Sequence, residues 1–119
     1  MINYYDRDGN PMPDDWHDTA KHGNKYAHLL VSEKRVARTT VGDINVSTVW
    51  LGLNHDFLTG RPVIFETMTF GEPWNNEMQR YSTEEEAMCG HLAVLERLRS
   101  GKPPFAYLDD DEPEAVTGG

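Results

Sequence analysis

Residues 44–53 constrain this chain more than any other stretch. Ile44, Val46, Thr48 and Trp50 share one parity, and Val49, Leu51 and Leu53 share the other. Extended, the run presents apolar side chains on both faces, the pattern of a strand inside a sheet. Its neighbours supply the pairing partners. Residues 35–41 are rich in β-branched side chains, and Gly42-Asp43 is turn chemistry. A polar loop over residues 54–61, closed by Thr59-Gly60, leads to a third strand over residues 63–70.

A helix follows. Ser82-Thr83-Glu84-Glu85 has capping-box spacing, and three consecutive glutamates sit at the positive end of the helix dipole. Ala87, Met88, His91, Leu92, Val94, Leu95 and Leu98 fall on one broad face. Arg97 and Arg99 occupy the last turn, and Gly101 with Pro103-Pro104 stops it. Leu92, Leu95 and Leu98 are therefore expected against the sheet. The fold class read from this order is α+β: a small antiparallel meander sheet of three or more strands, packed by a C-terminal amphipathic helix.

The N-terminal third is less decisive. Residues 4–12 read as a short strand entering a tight turn at Asp8-Gly9. Residues 13–23 suggest a short helix opened by Pro13 and two acids and ended by Gly23. Residues 26–31 fit helix or strand. One α+β domain over residues 1–105 is expected, followed by an acidic, disordered tail over residues 106–119 that includes Asp109, Asp110 and Asp111.

At 119 residues the chain suits one domain with a self-sufficient core. Cys89 is the sole cysteine, so no internal disulfide forms, which fits a reducing compartment. No apolar run approaches the ~20 residues of a membrane span, and the N-terminus lacks a signal-peptide core. A cytoplasmic protein is expected. The net charge of -9 opposes direct contact with nucleic-acid phosphates and favours basic partners.

Few residues carry a chemical signature. His91 falls mid-stripe on the helix, and a buried ring needs a partner, since an unpaired buried polar group costs roughly 1–3 kcal/mol. Glu66 interrupts the third strand and is the partner the sequence offers, making Glu66 and His91 a structural buried polar pair. An acid–base dyad is the functional alternative, but no nucleophile or second carboxylate lies beside them. His17, His22, His28, His55 and His91 lack zinc-helix spacing, and one cysteine makes no thiolate cluster. Asp6-Arg7-Asp8-Gly9-Asn10 has its glycine in the wrong place for a calcium loop. There is no phosphate-binding glycine loop and no Gly-x-Ser-x-Gly elbow. Three glutamates before Cys89 argue against a reactive thiolate. No cofactor, metal or catalytic residue is assigned. Trp16, Trp74 and Tyr81, in or beside loops, are partner-binding candidates together with Asp109, Asp110 and Asp111. Trp74 is as well placed to cap an open end of the core.

Residues 46–57, residues 62–71, Arg80-Tyr81-Ser82-Thr83-Glu84-Glu85-Glu86-Ala87 with Gly90-His91, and the opening Tyr4-Tyr5-Asp6-Arg7-Asp8-Gly9-Asn10-Pro11 together resemble a family of small uncharacterised proteins encoded by bacteriophages and prophages. The resemblance covers residues 4–99, and residues 17–34 and the acidic tail fit it least. It implies a viral origin and an accessory role in the host cytoplasm, with no activity to carry over. The expected function is non-enzymatic inhibition of a host or defence protein through an acidic surface, the partner being a basic, nucleic-acid-binding protein. Three alternatives stand beside it. One is an oligomeric module that binds a nucleotide signal through Arg35, Arg38, Arg61 and Arg80. Another is a minor virion or assembly protein. The last is an enzyme using Glu66 with His91 or His55 with Asp56.

Overall fold

The computed structural model describes residues 4–31, 34–54 and 61–110. The expected loop containing His55 and Asp56, and the tail position Asp111, lie outside them. Strands β3 (Arg35–Val41), β4 (Ile44–Trp50), β5 (Phe65–Phe70) and β6 (Met78–Tyr81) form an antiparallel sheet in that order. Helix α3 (Glu84–Arg99) packs on one face of it. A second, two-stranded sheet pairs β1 (Tyr4–Tyr5) with β2 (Pro11–Met12). Two short helices, α1 (Thr19–His22) and α2 (Ala27–Val31), complete the N-terminal third. The architecture is α+β, a meander sheet with a C-terminal helix. No helix among the described residues is long and apolar enough to cross a membrane.

Strand β4 is central, as its two-faced apolar pattern requires. Ile44, Val46, Thr48 and Trp50 are buried, and the residues between them are half-buried. The strand stops at Trp50 because Gly52 turns the chain. Gly52 has φ 77°, and a Cβ there would stand 3.1 Å from the Trp50 ring. The turn brings Leu53 into a bridge with Tyr4, and Tyr5 N–H donates to the Gly52 carbonyl at 2.8 Å. The small sheet is thereby attached to the large one. Within its turn, Asp6 accepts from the backbone N–H of Asp8 and Asn10, an Asx arrangement that accounts for the acid-rich run.

Strand β6 carries no strand signal in the sequence. Met78-Gln79-Arg80-Tyr81 has no β-branched residue and forms only because β5 offers it a ladder. Helix α3 starts one residue later than the Ser82 spacing suggests: Thr83 is the N-cap, and Glu86 closes the capping box. α1 is shorter than expected, because Asp18 caps it with bonds from Ala20 and Lys21 N–H while Gly23 ends it. Before it, Asp15 accepts from Lys21 Nζ and meets His22 Nε2, each at 2.8 Å, and these hydrogen bonds, Lys21's first, pull its carboxyl pKa down to about 2.

The buried stripe of α3 is Ala87, His91, Val94 and Leu95, with Leu98 half-buried beside it. Leu92 differs from expectation and is 58% exposed. At about 100° per residue it lies more than 100° from the centre of that stripe, beyond what one helix on one sheet can cover. The packed domain also continues past residue 105. Pro103, Pro104 and Phe105 are buried, and a 3-10 turn over Ala106–Leu108 inserts Leu108 into the core. Residues 106–108 therefore belong to the domain and not to a tail.

Gly90 faces β6 so closely that a Cβ would collide with the hydroxyl and ring of Tyr81. The ring is packed against the cluster of Phe65 and Ala87, which limits how far it can move aside. Gly90→Ala is expected to destabilise the fold by about 1–3 kcal/mol through overpacking. An unconstrained helical glycine would instead gain up to about 1 kcal/mol from the same change. Urea unfolding midpoints distinguish the two signs.

Candidate functional site

Buried Thr69 bonds the Trp74 carbonyl, while buried Thr48 and Thr67 lead to His91. The ring is 2% exposed and lies between helix and sheet. Its Nδ1 meets the Thr48 hydroxyl at 2.8 Å, and its Nε2 meets the Thr39 hydroxyl at 3.0 Å. Thr48 in turn pairs across the strands with Thr67 at 2.6 Å. The chain of contacts is Thr67–Thr48–His91–Thr39. It starts on β5, crosses β4, passes through α3 and ends on β3. A neutral imidazole donates at one nitrogen and accepts at the other, and the hydroxyls rotate to suit either tautomer.

Burial pushes the His91 pKa down, and its two hydrogen-bond partners are hydroxyls with no charge to offset that. Burial likewise pushes the Tyr81 phenol up. Both groups are therefore uncharged near neutrality, the form a dry network holds best.

His91 is buried as the helical stripe requires, but Glu66 is not its partner. Thr67 stands opposite Thr48 and faces the helix, so Glu66, one residue earlier, faces away. Glu66 lies opposite Arg80 and accepts from its Nε at 3.0 Å. The sequence allows the wrong choice because residues 64–70 carry apolar side chains in both parities. Only the register with β4 decides between them. The signal for the true partners was the parity of the threonines: Thr48 follows Val46 on the core side of β4, and Thr67 and Thr69 follow Phe65 on β5.

The three aromatic candidates are placed at margins of the core. Trp16 is half-buried, its ring edge-on to Trp50 with centroids 6.4 Å apart. Trp74 is half-buried against the cluster that includes Val46, Val94 and Phe105. Tyr81 packs against Phe65 and Ala87 in a second cluster. Asp109 pairs with Arg97, and Asp110 is exposed. No group of three or more metal-ligating side chains occurs among the described residues.

Two surfaces border α3 among the described residues. The outer ridge of α3, away from the sheet, carries Glu85, Cys89, Leu92 and Glu96, all exposed. Between α3 and β6 lies a cleft of about 810 Å³ lined in part by Arg61, Arg80, Ser82, Cys89 and Gly90. Across its mouth Arg61 pairs with Glu86 at 2.8 Å, which holds the Glu86 carboxyl below the usual range. Comparison with protein-family models, with curated proteins and with solved structures gives no match.

The His91 network has a pH signature. The unfolded ring titrates near 6.5 and the folded ring lower, so the unfolded state binds the proton more readily in the interval between. Stability from this group is complete above about pH 6.5 and is lost as pH falls through that interval. Denaturant unfolding between pH 7.5 and 5 should show this fall, and His91→Phe should lack that part of it. His91→Ala should cost about 2–4 kcal/mol at pH 7.5, since it leaves a cavity and unpaired threonine hydroxyls. An unchanged pH slope in His91→Phe would overturn the assignment.

Proposed function

We propose that the protein acts by binding, as a phage-type accessory protein that inhibits a host or defence protein through its acidic surface in the host cytoplasm. The observation that carries this reading is the outer ridge of α3. Leu92, 58% exposed, stands between Glu85 and Glu96, with Cys89 alongside. An apolar centre flanked by carboxylates suits a basic partner with an apolar contact point, and the net charge of -9 speeds its approach. The phage origin rests on the sequence resemblance.

The nucleotide-module reading has weaker support. Arg61 and Arg80 both border one cleft, though they pair with Glu86 and Glu66 respectively, and Arg35 and Arg38 stand on β3, at the opposite edge of the sheet. The four cations do not form one site. The histidine that invited an enzyme reading is enclosed by threonine hydroxyls, and Glu66 lies on the other side of the sheet.

The test is retention of host protein on the immobilised full chain at rising salt. A specific partner should be held at low ionic strength and released as screening increases. Glu85→Lys with Glu96→Lys should lower its retention at least tenfold, and Leu92→Asp should do so without lowering the unfolding midpoint. Equal capture by the parent and ridge variants, or none by either, would remove this reading.

A further inference from the structure

Where β4 ends, the fold encloses a cavity of about 350 Å³, a size that suits a small ligand. Its lining changes with depth. Leu29, Trp50 and Gly52 line it and are buried. Tyr4 and Trp16 line it and are half-buried. His17 and Lys34 are its exposed members. Three aromatic side chains therefore wall the interior, while an imidazole and an ammonium stand at the mouth. The walls are set before anything binds. Trp50 Nε1–H donates to the Tyr5 carbonyl at 3.2 Å, and Trp50 N–H donates to the Lys34 carbonyl at 2.7 Å. Trp16 stands edge-on to Trp50, and Gly52, without a Cβ, leaves the flank of the Trp50 ring clear. Such rings take another flat ring in offset-stacked or edge-to-face contact, and fixed walls spare the cost of ordering them.

Charge selects among flat ligands. The chain has 20 acidic residues, yet no carboxylate occurs among the described residues that line the cavity. The acids on either side of Trp16-His17 are engaged elsewhere: Asp15 with Lys21 and His22, and Asp18 with the first turn of α1. Lys34 makes no ion pair among the described residues. An ammonium with its donors open, beside a ring N–H, suits a carboxylate. The net charge of -9 repels an anion from afar, but salt screens exposed charges beyond about 8–10 Å, so at the mouth the nearby cation decides.

We propose that this cavity binds a small flat aromatic acid of one or two rings. The ring lies against Trp16, Trp50 and Tyr4, and the carboxylate sits on Lys34 and His17. The cavity shares no residue with the ridge of α3, so the assignment is independent of what that ridge binds.

Three probes with one ring system and three charges test it: indole-3-acetate, indole-3-acetamide and tryptamine. Binding to the full chain is read by NMR from its three tryptophan indole N–H signals. Trp16 and Trp50 line the cavity, and Trp74, packed against the other apolar cluster, is the internal control. Indole-3-acetate should shift the Trp16 and Trp50 signals and leave Trp74 in place. It should bind several-fold more tightly than the amide, and tryptamine should bind most weakly. Lys34→Gln, at an exposed position, should leave the unfolding midpoint unchanged and lower the affinity for indole-3-acetate to that for the amide. No shift of Trp50 with any probe would overturn the proposal, as would joint movement of all three signals. Tighter binding of tryptamine than of indole-3-acetate, or an unchanged acetate affinity in Lys34→Gln, would also overturn it.

Discussion

The rest of the fold depends on one polar seam. His91 and the threonines divide the interface between helix and sheet into two apolar clusters. Trp50, Phe65 and Ala87 lie on one side, and Val46, Val94 and Phe105 on the other. Thr48 stands on β4 between Val46 and Trp50, and His91 stands on α3 between Ala87 and Val94. An apolar contact tolerates sliding, because it has little direction. A ring held at both nitrogens does not, since a shift of one residue would take the buried imidazole off both of its hydroxyl partners. The seam therefore fixes the position of α3 along and across the sheet.

Once that position is fixed, the surface of the helix is divided. The stripe through Ala87, His91, Val94 and Leu95 faces the sheet. The flank with Glu86, Gly90 and Ala93 lines the cleft beside β6. The remaining arc, with Glu85, Leu92 and Glu96, faces outward. Gly90 lets the Tyr81 ring lie against the helix. The same contacts that hold the helix down thus shape the cleft and the outer ridge beside it.

How far the sequence reached varies with the kind of signal. The capped helix, the central strand, the turn at Gly42-Asp43 and the burial of His91 follow from periodicity and local chemistry. Strand β6 does not, because an edge strand of four residues is held by its neighbour's ladder and needs little propensity of its own. The Glu66 assignment failed for a related reason. Opposite charge and suitable location made it the obvious partner for a buried ring, whereas the ring is held by neutral hydroxyls that carry no charge signal. Leu92 was expected inside because hydrophobicity marks a residue as suitable for burial, while only the width of the contact decides which residues achieve it.

By itself, then, the sequence determined the element order around β3, β4, β5 and α3, the acidic balance, and the need to satisfy one imidazole inside the core. These are properties of spacing and composition, which act within a few residues. The tertiary structure alone decided which parity of β5 faces the helix, which hydroxyls meet His91, and which carboxylates Arg61 and Arg80 find. Each of these is a distance between segments far apart along the chain, and such distances are set by strand register and helix placement, neither of which any local pattern encodes.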